Sequence, residues 1–296
     1  MNENPAMAAA MQLSGQLEAF AALGAALRIR TEDLVAPPAV AHRLDEVTAA
    51  LGVDLDTLTP AQLQMAAGAV RSLFLQAADL LDAPDRDPGW TFTDPRILQS
   101  TGRVSMAIAG VIGAVAPDLG DLRSRLNQDG SRFLDVGCGV GWLALAMAKA
   151  NPQLQVTGID LHPPALDLAH QNRDTEGLQG RVELRSQSVT DLDEEAEYDL
   201  VWFPGPFIPA AIVPAALDRC ARALRPGGWL VFGTYGGPDQ PIAVGLADLR
   251  SARSGGRQWT AAEATGLLEQ AGLTDVRTPE RTWPAPVAVV LAQRPS

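Results

Sequence analysis

The 296-residue chain has only two cysteines, Cys138 and Cys220, along with three histidines and two tyrosines. Two cysteines so far apart make neither a disulfide framework nor a zinc site, so a reduced, cytoplasmic protein is expected. Basic charge is scarce too: 23 Lys and Arg stand against 35 Asp and Glu, a formal net charge of -12. An acidic chain without a local basic patch repels phosphate backbones, so no nucleic-acid partner is expected. Long hydrophobic runs are missing as well. The uncharged stretch 104–117 is shorter than the roughly 20 apolar residues a bilayer requires. The longer one, 200–217, is broken by Pro204, Pro206, Pro209 and Pro214, and each proline removes a helical hydrogen bond. The first twenty residues lack a basic n-region, so neither a secretory signal nor a membrane partner is expected.

What remains is ordinary globular material, 47% hydrophobic and 20% charged, long enough to bury a sizeable core. Residues 1–129 read as helices only. Apolar residues recur at helical spacing over 7–30 (Leu13, Leu17, Phe20, Leu23, Leu27), a short helix fits 42–51, and Thr59-Pro60 opens another to about Asp82. After the loop 83–89, Thr93-Asp94-Pro95 starts a helix with Ile97, Val104, Ile108, Val111, Ile112 and Val115 on one side. Gly102, Ser105, Ala109 and Gly113 form a small-residue stripe along it, expected to permit close helix packing.

From residue 130 the pattern changes. Strands are expected at 132–136, 155–160, 182–187, 198–203 and 229–234, with helices between them, which implies a parallel sheet covered on both faces. A Gly/Pro loop and a helix to about Arg253 follow. Thr260 and Glu263 have capping-box spacing and open a last helix, and 273–278 and 287–292 suit a final antiparallel pair. The chain is thus an α/β protein with an all-helical N-terminal region, residues 1–129, preceding an α/β domain, residues 130–296.

The sharpest local signal is Phe133-Leu134-Asp135-Val136-Gly137-Cys138-Gly139-Val140-Gly141-Trp142, a buried strand ending in a glycine-rich turn that opens a helix. Glycines there let backbone amides approach a ligand, and the helix N-terminus favours a negatively charged group. Two residues separate the ligand classes. A dinucleotide fingerprint wants glycine at its sixth position for close helix–strand packing, where this chain has Trp142. Asp135, two residues before the first glycine, would repel a pyrophosphate and attract a cationic amino-acid moiety. Asp160 ends the next strand, a little over twenty residues past Gly137, where a carboxylate accepts ribose hydroxyls. Ser186–Asp191 follows the third strand and suits an adenine edge. Cys138 is expected to serve as a small turn residue, since nothing in the sequence activates its thiol. Trp142 and Trp202 lie near C-terminal strand ends, where open α/β sheets bind ligands, and an aromatic face suits a sulfonium cation; both fit an ordinary core role equally well.

In their order and spacing, LDVGCGVG, GIDL, YDLVWF and LRPGGWLVFGT resemble the class I S-adenosylmethionine-dependent methyltransferases, and WTAAEATGLLEQAGLTDVRT resembles that family's C-terminal helix and strand. The likeness covers about residues 131–294. It implies a Rossmann-like seven-stranded sheet of order 3-2-1-4-5-7-6 with strand 7 antiparallel, and S-adenosyl-L-methionine as cofactor with S-adenosyl-L-homocysteine as product. It places Asp135 and the backbone of Gly137, Cys138, Gly139 and Gly141 around the methionine end, Asp160 at the ribose, and Leu161 beside the adenine; Trp142 joins the cofactor-binding set. Ser188-Val189 occupies a position where the family often carries Asp then a small residue, so Ser188 is left one hydrogen bond to offer the adenine, with Asp191 nearby. Phe203 completes the cofactor set.

Phe203-Pro204-Gly205-Pro206-Phe207 lacks the polar first residue of the Asp/Asn-Pro-Pro-aromatic signature found in nucleic-acid amino-methylating enzymes. It is read as a loop bordering the pocket. Trp90, Trp202, Pro204, Phe207 and Tyr235 are the candidate acceptor-facing residues. His42, His162 and His170 fall in no metal pattern, so no metal is expected; His162 reads as a loop residue near the ribose or adenine. Asp239 reads as a solvated loop charge. No catalytic residue can be named, because a displacement at a sulfonium methyl is accelerated mainly by positioning and desolvation.

The expected function is methyl transfer to a small-molecule acceptor, oxygen preferred over nitrogen or carbon. The Arg-over-Lys bias and abundant Ala, Gly and Pro fit a GC-rich bacterial source and specialised metabolite biosynthesis. The N-terminal helices are expected to act as a lid, to line the acceptor pocket and to support a homodimer. The competing readings are a nicotinamide-dependent Rossmann oxidoreductase, opposed by Trp142 and Asp135, and a non-catalytic binding module, opposed by the intact glycine-rich and GID segments.

Overall fold

The computed structural model describes residues 4–296. The helices are α1 (Pro5–Thr31), α2 (Pro38–Ala50), α3 (Pro60–Asp82), α4 (Pro95–Ser105), α5 (Ala107–Val115), α6 (Leu122–Arg125), α7 (Trp142–Ala150), α8 (Pro163–Thr175), α9 (Val213–Ala223), α10 (Pro241–Arg253) and α11 (Ala261–Gln270). The strands are β1 (Arg132–Val136), β2 (Gln155–Asp160), β3 (Val182–Ser186), β4 (Tyr198–Phe203), β5 (Leu224–Tyr235), β6 (Thr274–Arg277) and β7 (Val287–Gln293). Contacts divide the chain into two units. One contains the residues up to Pro84 with Gln99–Val104; the other contains Asp85–Leu98 and Ser105–Ser296.

The first unit is helical. Its core is Ala26, Leu27, Leu55 and Val70, with Phe20 and Phe74 packed against them and their rings stacked at 5.2 Å. A capping box between Thr59 and Gln62 starts α3, satisfying amides that would otherwise lack partners. The N-terminal half of α1 stays exposed, including Met7, Met11, Leu13 and Leu17.

The second unit holds a seven-stranded sheet of order β3-β2-β1-β4-β5-β7-β6. β1 to β5 are parallel neighbours, and β7 runs antiparallel to β5 and β6, as the motifs implied. Alternation along the strands divides the core. Phe133, Leu200, Trp202 and Val231 point to one face, and Leu134, Val201, Phe203 and Phe232 to the other, the expected result of period-2 side-chain geometry.

Three expectations need correction. The single helix expected after Pro95 is broken at Met106 into α4 and α5. The small-residue stripe does not act as a packing seam along its length: Gly113 is exposed and an added Cβ there would meet nothing within 4 Å. Finally, β5 begins at Leu224 rather than at residue 229, because β4 pairs from Tyr198 onward and a register shift accommodates the Pro226-Gly227-Gly228 turn.

At the rim of the sheet where β4 begins, Asp199 is buried. Its Oδ1 accepts from Arg125 Nη2 at 2.8 Å, and its Oδ2 accepts from Arg225 Nη1 at 2.7 Å and the Arg132 amide at 2.9 Å. One carboxylate thus ties α6, β1, β4 and β5. Removing one member of a buried charged network strands the others. Asp199→Ala should therefore lower unfolding stability by about 2 kcal/mol or more, read as a reduced denaturation midpoint with cofactor affinity unchanged in the surviving folded protein.

Candidate functional site

The register puts the chemistry at the opposite rim, where the parallel strands end. Asp135 lies beside Gly158 on β2 and Trp202 on β4, and Asp160 lies beside Ser186 on β3. The chain leaves β1 through Gly137, Gly139 and Gly141, all with positive φ (65°, 55° and 81°), a region L-residues with a Cβ rarely adopt. The turn is packed from both sides. A Cβ on Gly141 would approach Ala169 Cβ to 3.3 Å, and one on Gly158 would lie 3.0 Å from Cys138 Sγ.

Asp160 holds this turn in place. Its Oδ2 accepts from the Gly139 amide at 2.7 Å, and its Oδ1 accepts from the His162 amide at 2.8 Å. The carboxylate is therefore oriented by backbone on both sides, and each oxygen keeps a second lone pair for a ligand.

Asp135 is different. It is 2% exposed, and its Oδ2 is buried without a hydrogen-bond partner. Burial, followed by the like charge of Asp160, pushes its carboxyl up to about 8, opposed by a hydrogen bond with the Ala144 amide in the first turn of α7. A buried carboxyl with one free oxygen beside a second carboxyl is a demand for a cation or donor. Burial and the nearby Asp135 and Asp160 also push the Cys138 thiol well above its usual range, so Cys138 is no nucleophile.

The other predicted residues are spread around this pair. Gly137, Gly139 and the half-buried Trp142 border the turn, and Pro204 reaches it, with Cγ 3.5 Å from where a Cβ on Gly137 would sit. Leu161 and Phe207 are exposed, at 64% and 55%, and free to meet a ligand. Ser188 Oγ accepts from the Thr190 amide at 3.2 Å, and the neighbouring Val189 is buried. Phe203 and Trp202 belong to the core. Phe203 is fully buried and stacks on Phe232 at 5.3 Å. Trp202 is buried over Gly233, where any Cβ would fall 2.4 Å from the indole Cη2. Trp90 meets Phe92 and packs against the buried cluster of Leu98, Val140 and Ala165, and the Tyr235 hydroxyl donates to the Pro238 carbonyl at 3.3 Å. His42 is on the surface, 3.4 Å from Glu46, and Asp239 is exposed. Among the described residues no group of three or more His, Cys, Asp or Glu is placed to hold a metal, and no helix is long and apolar enough to cross a membrane.

Two contacts lay beyond sequence reasoning. The Trp259 indole donates to the Gly205 carbonyl at 3.2 Å, bracing the turn after β4, and the His162 ring meets the Phe92 carbonyl at 2.6 Å. Both join residues more than fifty positions apart, for which no local pattern exists.

Residues 133–228 match the family described as "Methyltransferase domain". Residues 133–228 are thus a methyltransferase domain, set in a seven-stranded sheet of order β3-β2-β1-β4-β5-β7-β6. A ubiquinone biosynthesis O-methyltransferase of Xanthomonas oryzae pv. oryzae (strain PXO99A) is 37% identical over 128 residues, covering 42% of this chain and 50% of that protein. The chain thus spans about half the length of the curated relatives it matches. Among solved structures, an O-methyltransferase family protein from Burkholderia thailandensis superposes with a TM-score of 0.68 at 20% identity, covering 98% of each chain. Human N-acetylserotonin methyltransferase, in complex with SAM, gives 0.62 at 17% identity, covering 100% of this chain and 99% of that one. These likenesses are of fold, and they span the helical residues as well as the methyltransferase domain.

The Asp135 shift has a pH signature. The unfolded carboxyl loses its proton near 3.8, and the folded one holds it to about 8. The folded state therefore binds more protons across that window. Its contribution to stability is full below about 4, falls as pH rises, and is gone above about 8. Asp135→Asn should remove this slope. The variant-minus-wild-type stability of ligand-free protein should rise between pH 4 and 8 by a few kcal/mol, measured by denaturant unfolding at several pH values.

Proposed function

We propose that the protein transfers the methyl group of S-adenosyl-L-methionine to a small-molecule acceptor, with an oxygen acceptor preferred and specialised metabolite biosynthesis as its setting. The observation that carries this reading is the buried, unpartnered Oδ2 of Asp135 beside Asp160. That pair fits a ligand whose amino-acid end is cationic and whose ribose offers two hydroxyls, and it does not fit the pyrophosphate of a dinucleotide. Bound there, the cofactor would supply an electrophilic methyl on a good leaving thioether.

The remaining work falls to the chain. Asp135 would accept from the ammonium and become ionised, and Asp160, already oriented by the Gly139 and His162 amides, would accept from the ribose. Leu161 and Ser188 would meet the adenine, with Val189 behind them. Trp142, Pro204 and Phe207 would border the transfer site and exclude water, with Trp90 and Tyr235 nearby. Trp202 and Phe203 would act from the core by fixing the end of β4. We assign acceptor selection and dimerisation to residues 1–129 and cofactor binding to residues 130–296. The exposed apolar face of α1, with Met7, Met11 and Leu17, supports a homodimer, and the net charge of -12 supports a cytoplasmic enzyme acting on neither nucleic acid nor membranes.

Calorimetric titration with S-adenosylmethionine and S-adenosylhomocysteine tests the reading. Wild type should bind both saturably. Asp160→Ala, which removes charge-assisted hydrogen bonds and loosens the turn, should weaken binding by about tenfold to a hundredfold. Binding of a nicotinamide dinucleotide, with none of the adenosyl ligands, would overturn it.

A further inference from the structure

A strap crosses the cofactor side of the methyltransferase domain. Residues 85–94 run without regular secondary structure into α4. Gly89 donates its amide to the Arg253 carbonyl at 2.9 Å. Arg86 donates to the Gly89 carbonyl at 2.9 Å and lies over the Phe92 ring at 4.7 Å. Trp90 and Phe92 meet edge to face at 5.0 Å. Both pack against the buried cluster of Leu98, Val140 of the glycine-rich exit and Ala165 of α8, which Trp142 and Leu168 also border. The strap therefore lies across the two loops that follow β1 and β2.

One side chain joins it to the second of those loops. His162 Nε2 is 2.6 Å from the Phe92 carbonyl oxygen. A carbonyl only accepts, so the ring donates, which fixes the proton on Nε2. The same residue's amide is bound to Asp160 Oδ1. Asp160, His162 and Phe92 thus form one continuous path from the ribose carboxylate to the strap. His162 lies near no metal cluster among the described residues, and its backbone already satisfies Asp160 without help from the ring. Among the described residues, the imidazole's hydrogen-bond partner is the strap, through the Phe92 carbonyl.

We propose that His162 is a positioning residue that latches the Trp90–Phe92 strap over the cofactor cleft and so sets how fast the cofactor and its product leave. The inference rests on the cofactor reading above and extends it to a residue that touches neither the methyl group nor the acceptor. Product release limits turnover in many enzymes with such covers, so the latch acts on dissociation rather than on the chemical step.

Wild type, His162→Ala, His162→Gln and Trp90→Ala proteins would be compared by stopped-flow dissociation of S-adenosylhomocysteine and by calorimetry, with circular dichroism to establish folding. His162→Ala should speed dissociation by about tenfold, the worth of one well-formed hydrogen bond at a cover. Association should change little. Trp90→Ala should shift dissociation in the same direction. His162→Gln, whose amide places a donor near the position of Nε2, should restore most of the wild-type rate; a merely structural loss would not be rescued in this way. The proposal is overturned if folded His162→Ala releases S-adenosylhomocysteine at the wild-type rate, or if Gln behaves as Ala does. A wild type that binds no S-adenosylhomocysteine would sink the cofactor reading itself, a distinct result.

Discussion

The site depends on one constraint: the backbone must turn out of β1 through three left-handed glycines and still present its amides in a fixed order. Left alone, such a turn has many conformations, since glycine is the residue with most freedom to lose. Asp160 removes that freedom. By accepting from Gly139 with one oxygen and His162 with the other, it makes two loops from neighbouring strands into one rigid rim. The carboxylate is oriented before any ligand arrives, which lowers the ordering cost of binding. Gly158, pressed against Cys138, and Gly141, pressed against Ala169, close the same rim from beneath.

Against that rigid frame Asp135 is the unfinished element. Asp160 has both oxygens engaged by backbone amides, whereas burial and that neighbouring charge push the Asp135 carboxyl up to about 8. Such pairs of unlike environments for like groups are typical of functional sites. The protein tolerates an incompletely bonded carboxyl in its interior, and the proposed cofactor's ammonium is the donor that would complete it.

Much of the fold was legible in the sequence because its signals are local. Strand alternation, the Thr260–Glu263 cap and the glycine-rich exit each occupy a few consecutive residues, and the order of motifs implied the sheet order that the structure has. The placement of Asp135 and Asp160 at the ends of adjacent strands was legible for the same reason. The protonation of Asp135 was not: it follows from burial and from a neighbour twenty-five positions away, so the sequence shows a charge where the folded protein holds a neutral acid. The burial of Phe203 and Trp202 was equally hidden, since strand periodicity gives the face of a residue and not what covers it. The break at Met106 carries no glycine or proline to announce it, and the strap's attachment through His162 depends on residues seventy positions apart.

The Asp199 network has a consequence of a different kind. It fastens β1, β4 and β5 at the rim where β4 begins, a sheet's length from the glycine-rich turn. Anchorage and chemistry are thus separated along the strands. Exposed residues of the loops at the opposite rim, such as Leu161 and Phe207, take no part in that anchorage, whereas Gly205, pressed on Phe232 of β5, belongs to the core. The bolt at the far rim keeps the strands in register whatever side chains the exposed loop positions carry.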